Sequence, residues 1–170
     1  MRSRPEASEH APYYGKYVAL VSDGDIVQTL AAERDATLEL LRGIPEEKTL
    51  HRYAEGKWSI KENCVHVTDI ERVLSYRAVR IARGDQTPLA SVDQDSLVPA
   101  SEADARDWGS IIEEYRLVRE ATIALFANLP EPAWARTGTA SGNPVSVRAL
   151  AYILAGHDIH HRKLLREKYL

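Results

Sequence analysis

Apolar residues recur at alternating steps of three and four along most of this chain, and that spacing commits it to helices packed through one face. The cleanest run is Trp108, Ile111, Tyr115, Val118, Thr122, Leu125 and Leu129, which Pro130 stops. An earlier run, from about Asp25 to Arg42, turns Ile26, Val27, Leu30, Leu38 and Leu41 inward and ends where Gly43 and Pro45 supply exit signals. Between them a helix opens at Ser59 and should end near Arg83, before Gly84 and Pro88. Its start, Ser59-Ile60-Lys61-Glu62, is a capping box in which hydroxyl and carboxylate each satisfy a free backbone N–H, and Trp58 is placed to act as a hydrophobic staple. The last helix is expected from about Ser146 to Lys168. Strand-like alternation is scarce, so the expected class is all-α.

With 170 residues, 44% of them hydrophobic, the chain can build one sizeable core, and a single domain over 1–170 is expected, with 1–22 as an N-terminal extension. The connections 44–58, 85–100 and 130–145 are long for a helical bundle, a length typical of functional loops and crossovers. Net charge is −3 and Lys and Arg are scattered, which argues against nucleic acid or an anionic membrane as partner and leaves a small molecule or another protein. Cys64 is the only cysteine, so no internal disulfide framework exists. The opening residues lack the apolar run of a signal peptide, and no segment has the apolar length of a membrane span, so the cytoplasm is the expected location.

Chemistry concentrates in the histidines. On the last helix, at roughly 100° per residue, His157 and His161 fall within about 20° of the centre of the stripe formed by Leu150, Ile153, Leu154, Leu164 and Leu165. They are four apart, the spacing at which two imidazoles on one face can share a metal ion. His160 points about 80° aside and reads as a surface or supporting residue. His66 lies near the edge of the stripe of Ile60, Val67, Ile70 and Leu74, where it should meet solvent at the mouth of a cleft. If these helices pack side by side, His66, His157 and His161 can converge on one ion and leave a coordination position open, an arrangement more often catalytic than structural. Buried imidazoles hydrogen-bonded to other helices are the bland alternative.

Other polar residues carry weaker signals. Glu71 sits within the apolar stripe and needs a partner. An ion pair with an arginine such as Arg119 or Arg148 is preferred over orienting a ligand histidine. Asp69 can act as a base or acceptor beside His66, although a solvated helix face explains it as well. Arg77, Arg80 and Arg83 could bind an anionic group, or could simply complement a helix C-terminus. Cys64 points about 200° away from His66 and reads as core.

The segment Gly56-Lys57-Trp58-Ser59-Ile60-Lys61-Glu62, followed by His66, Asp69 and Glu71, and the later Ala155-Gly156-His157-Asp158-Ile159-His160-His161, resembles the DinB-like superfamily of metalloenzymes. Tyr76-Arg77, Asp93-Gln94-Asp95 and Arg136-Thr137-Gly138 extend the likeness over nearly the whole chain. The resemblance implies a four-helix bundle in up-down-down-up order with a crossover, often homodimeric. It also implies a divalent metal, commonly zinc or nickel, on residues matching His66, His157 and His161.

Three neutral imidazoles would leave the ion's charge uncompensated and ease loss of a proton from a bound thiol or water. No nucleophilic Cys and no Ser-His-Asp arrangement offers another route. A metal-activated S-transferase using a low-molecular-weight thiol therefore ranks first, on the strength of the resemblance, ahead of a metal-dependent hydrolase. A non-catalytic metal-binding stress-response dimer and a metal-free bundle are the readings from other classes.

Overall fold

A computed structural model describes residues 3–170; residues 1 and 2 of the expected extension lie outside it. The elements are α1 (Gly15–Val18), α2 (Ile26–Arg42), α3 (Ile60–Ala82), α4 (Gln94–Ala100), α5 (Trp108–Ala127), a hairpin of β1 (Thr137–Ala140) and β2 (Asn143–Ser146), and α6 (Val147–Leu164). Each long helix starts at a capping side chain that accepts from a free N–H: Asp25 for α2, Ser59 for α3, Asp107 for α5 and Ser146 for α6. The capping box forms as expected, with the Glu62 carboxylate returning to the Ser59 N–H at 2.7 Å. Trp58 is not a staple, because the position it would clasp is the polar Asn63; its ring lies instead on His66, 4.7 Å between centroids.

Each of α2 and α3 packs against both α5 and α6, so α2 lies diagonally across the bundle from α3, and α5 from α6. Side-chain pairs give the directions. Thr37 meets Asp158, and Leu41 shares a cluster with Leu165, whereas Ile26 and Leu30 share one with Leu150 and Leu154, so α2 and α6 run parallel. Arg72 pairs with Glu114 and Ser75 bonds Thr122, so α3 and α5 also run parallel. Asn63 faces His161 while His66 faces His157, which sets α3 against α6. The order is up-down-down-up, with residues 83–107 as the crossover.

The core is split. One apolar cluster holds Leu30, Leu74, Phe126, Trp134 and Leu150, and a second holds Leu41, Ile60, Ile111, Tyr115 and Leu165. Between them every long helix contributes buried polar residues: Thr37, His66 and Glu71, Arg119, and His157, Asp158 and His161. Such a layer is costly unless its side chains pair or hydrogen-bond with one another.

Two expected loops carry structure. Segment 85–100 contains α4, started by Asp93 accepting from the Asp95 N–H. Segment 130–145 contains the hairpin, whose turn Ser141-Gly142 takes φ of 52° and 75°, the left-handed pair of a two-residue hairpin turn. Leu89 bridges to β1 from the crossover. The last helix is also shorter than expected: after Leu164 the chain widens into a π turn over Leu165–Tyr169, which buries Tyr169. The N-terminal segment lies across α6, and a Cβ on Gly156 would stand 2.0 Å from the carbonyl oxygen of Tyr17, so only glycine permits this crossing. No helix among the described residues is long and apolar enough to cross a membrane.

Candidate metal centre

The polar layer brings His66, His157 and His161 together. One nitrogen from each lies within 4.8 Å of the others, and no fourth His, Cys, Asp or Glu among the described residues joins the group. Nε2 of His66 and Nε2 of His157 are 3.3 Å apart. That separation is what two nitrogens at about 2.0–2.1 Å from a shared tetrahedral ion would have. All three rings are buried. Burial lowers the pKa of His66 to about 4, and it holds His157 and His161 well below the ordinary histidine value, with the neighbouring imidazoles adding to the effect. The rings are therefore neutral near pH 7, with lone pairs free for a cation, and the donor set suits a divalent ion with borderline-soft preferences.

Each ring is held by its surroundings. Nδ1 of His161 lies 3.3 Å from Oδ1 of Asn63, whose amide nitrogen donates to the Ser59 carbonyl at 2.8 Å and to the Tyr169 hydroxyl at 3.0 Å. The Tyr169 hydroxyl in turn donates to the Trp58 carbonyl at 2.7 Å. Because the amide nitrogen is occupied by two acceptors, the oxygen must face His161, which puts that ring's proton on Nδ1 and leaves Nε2 for an ion. His157 is covered by Tyr17, edge-on at 5.3 Å. His66 was expected near solvent at the edge of its stripe, yet it is 4% exposed, because the Trp58 ring folds back over it.

Beside the triad, Arg119 is fully buried and donates to Glu71 Oε2 from Nε at 3.0 Å, while its Nη2 makes an ion pair with the same oxygen at 2.7 Å and lies 3.6 Å from Asp158 Oδ2. Asp158 also accepts from the Tyr115 hydroxyl at 3.0 Å and from Thr37 Oγ1 at 3.1 Å. Burial raises both carboxylates, against the lowering pull of Arg119. Two carboxylates facing one guanidinium give this cluster a surplus of negative charge when both are ionised, on the turn of α6 that carries His157.

The supporting candidates separate. Glu71 takes Arg119 as its partner, whereas Arg148 pairs with Glu9 near the N-terminus. Asp69 accepts from Arg72 at 3.1 Å on the outer face of α3. His160 is half-buried, its ring 5.4 Å from Tyr17 and 5.2 Å from His161, outside the converging group. Cys64 is buried core, its thiol pushed up by burial. The arginine run splits as well: Arg80 pairs with Asp85, Arg83 is exposed, and Arg77 is buried.

Asn63, Asp158 and Tyr169 were not singled out from the sequence. Asn63 shares its stripe with Ile60 and Val67, and Asp158 shares one with Leu154 and Leu165, so a polar residue on an apolar face was the available signal. Tyr169 had none, since its inward turn follows from the π turn.

Two cavities flank the triad. One, of about 170 Å³, is bounded by His157, Tyr17, Arg77 and Ser141 among others. The second, of about 270 Å³, is bounded by His161, Trp58, Asn63 and Asp95. One cavity thus abuts the triad at His157 and the other at His161.

Among solved structures, YfiT from Bacillus subtilis, described as a probable metal-dependent hydrolase with an unusual four-helix bundle topology, superposes with a TM-score of 0.69 at 14% identity, covering 95% of this chain and 91% of that one. A mycothiol-dependent maleylpyruvate isomerase gives 0.70 at 13% identity, over 86% of this chain and 62% of that chain. A DinB-like protein, YjoA, from Bacillus subtilis gives 0.60 at 23% identity, over 84% and 87%. At these identities the likeness is one of fold. No curated protein gives a significant match. The family model of the DinB superfamily matches residues 29–165, and the chain belongs to that superfamily.

Proposed function

We propose that this member of the DinB superfamily is a divalent-metal-dependent enzyme acting on a small molecule, with His66, His157 and His161 as its metal ligands, and that it transfers a low-molecular-weight thiol to an electrophile. The observation that carries this reading is the triad: three buried neutral imidazoles with nitrogens within 4.8 Å, no fourth protein donor among the described residues, and a cavity at His157. A structural site would close its coordination with protein ligands. When bound, zinc or nickel supplies a Lewis acid that makes a thiol or water beside it easier to deprotonate.

The chain's own residues do the rest. Asn63 holds His161 in one tautomer, and Tyr17 and Trp58 keep bulk water off His157 and His66, so electrostatic interactions at the centre are stronger than in water. Cys64 is no substitute nucleophile, because burial keeps its thiol protonated. Thiol transfer ranks first because the family includes thiol-dependent enzymes, among them the mycothiol-dependent isomerase that shares this fold. Hydrolysis is the alternative at the same site, with water in place of the thiol. A homodimer belongs to the same reading, with light scattering as its check.

The test begins with metal content by mass spectrometry on tag-free protein, wild type beside His161→Ala, after dialysis against a mild chelator. About one divalent ion per chain, lost in the variant, supports the site. Monochlorobimane with cysteine, bacillithiol or mycothiol, and p-nitrophenyl acetate without thiol, then separate the activities. Thiol-dependent bimane adduct supports transfer, and ester cleavage alone replaces it with hydrolysis. Bound metal with neither activity overturns the enzyme reading in favour of a binding role.

A further inference from the structure

Arg77 is the one buried arginine that no carboxylate pairs with among the described residues. It is 5% exposed, and Nη2 donates to the Ala90 carbonyl at 2.7 Å and to Ser141 Oγ at 3.1 Å. No acceptor among the described residues engages the rest of the guanidinium. Elsewhere this fold compensates its arginines: the fully buried Arg119 has Glu71, and Arg72, Arg80, Arg106, Arg148 and Arg162 each have an acid. Two neutral acceptors explain a tether between α3, the crossover and the hairpin turn, but a neutral amide would serve that purpose without the desolvation penalty of a buried cation.

Arg77 also lines the same cavity as His157. We propose that Arg77 is an anion-binding residue, so that the substrate of this site is a small carboxylate whose anionic end docks on Arg77 while its reactive part reaches the histidine triad. This rests on the reading of the triad as an enzyme's metal centre, and it adds the class of substrate. A guanidinium presents paired N–H groups that match a carboxylate. The other polar groups of the lining, such as Ser141, Gln94 and the hydroxyls of Tyr13 and Tyr14, are neutral, which suits one negative charge rather than a phosphate dianion. Apolar walls from Ile70, Leu74 and Ile153 suit a partly apolar body, and about 170 Å³ is below the roughly 300–1,000 Å³ of drug-sized pockets.

The probe pair is benzoate and benzamide, alike in shape and different in charge, titrated by NMR into chelator-treated and zinc-loaded protein. Wild type is expected to bind benzoate about tenfold or more tightly than benzamide in both forms. Arg77→Gln should abolish the preference and Arg77→Lys should keep part of it. An undiminished preference in Arg77→Gln overturns the proposal. So does a preference seen only in the zinc-loaded form, which would put the anion on the metal and leave the enzyme reading intact. Conversely, an Arg77-dependent preference in a protein that takes up no metal supports the anion site while sinking the metal reading. Should Arg77→Gln fail to fold, the Arg77 Nε–H resonance of wild type decides: a shift with benzoate and not benzamide supports the proposal, and no shift overturns it.

Discussion

Oδ1 of Asn63 on α3 faces Nδ1 of His161 on α6 at 3.3 Å, so the side chain that sets the tautomer of one imidazole comes from the helix carrying another member of the triad, His66. Asn63→Ala should weaken zinc binding about 10–100-fold, the usual effect of losing a partner behind a ligand histidine. Competition with a chromogenic chelator measures it. The melting temperature of metal-free protein is the control, because Asn63 also holds Ser59 and Tyr169. An unchanged affinity would mean that packing alone orients His161.

Metal binding and stability should move together. With free zinc about 1,000-fold above its dissociation constant, linkage adds about 4 kcal/mol to a protein that binds only when folded. Chelator should therefore lower the melting temperature of wild type and of His160→Ala, and leave that of His161→Ala where it is. A chelator-insensitive His160→Ala protein would move that residue into the ligand set.

The Glu71–Arg119 pair is sealed between the two apolar clusters. Glu71→Ala leaves the guanidinium in the core with only the more distant Asp158 carboxylate, 3.6 Å away, and should cost about 3–5 kcal/mol in urea unfolding. Replacing both partners with leucine should cost less than Glu71→Ala alone, since the guanidinium is then removed together with its carboxylate. The reverse order would show that Arg119 is needed chiefly by Asp158.

Gly156 lets the N-terminal segment cross α6 at the Tyr17 carbonyl, where a Cβ would approach to 2.0 Å. Backbone cannot yield as a side-chain tip can. Gly156→Ala should destabilise by about 1–3 kcal/mol, as overpacking does, and should lift α1 from His157. Faster tryptic cleavage after Lys16 reports that release, and wild-type cleavage rates would contradict it.

Glu9 pairs with Arg148 at the start of α6, and this bond is the largest cause lowering its carboxyl from 4.5 to about 2. A carboxyl with a depressed folded-state pKa adds stability above its unfolded pKa and loses it as the pH falls towards the folded value. The melting-temperature gap between wild type and Glu9→Gln should be full at pH 7, shrink below about 4.5 and vanish near 2. A gap independent of pH would assign the effect to packing.

Much of the fold was legible because helix formation is local. The Ser59 box, the exit at Gly43 and the run from Trp108 act within one or two turns, and the helices they delimit form within a few residues of the expected ends. The hairpin was less so: its turn dipeptide Ser141-Gly142 was present, but its strands are four residues each, too short for period-two alternation to register. The end of the last helix was misjudged because its π turn depends on Tyr169 reaching Asn63 and Trp58, residues more than a hundred positions away.

The candidate site divides along the same line. Spacing alone determined that His157 and His161 share a face and that this face is apolar, since 3.6 residues per turn is a property of the backbone. Whether His66 joined them, which of Arg119 and Arg148 took Glu71, and whether Arg77 stood exposed or buried without an acid were decided only when the helices packed. Those outcomes depend on the distance between elements and on the water excluded between them, and neither is encoded within the few residues of a helical turn.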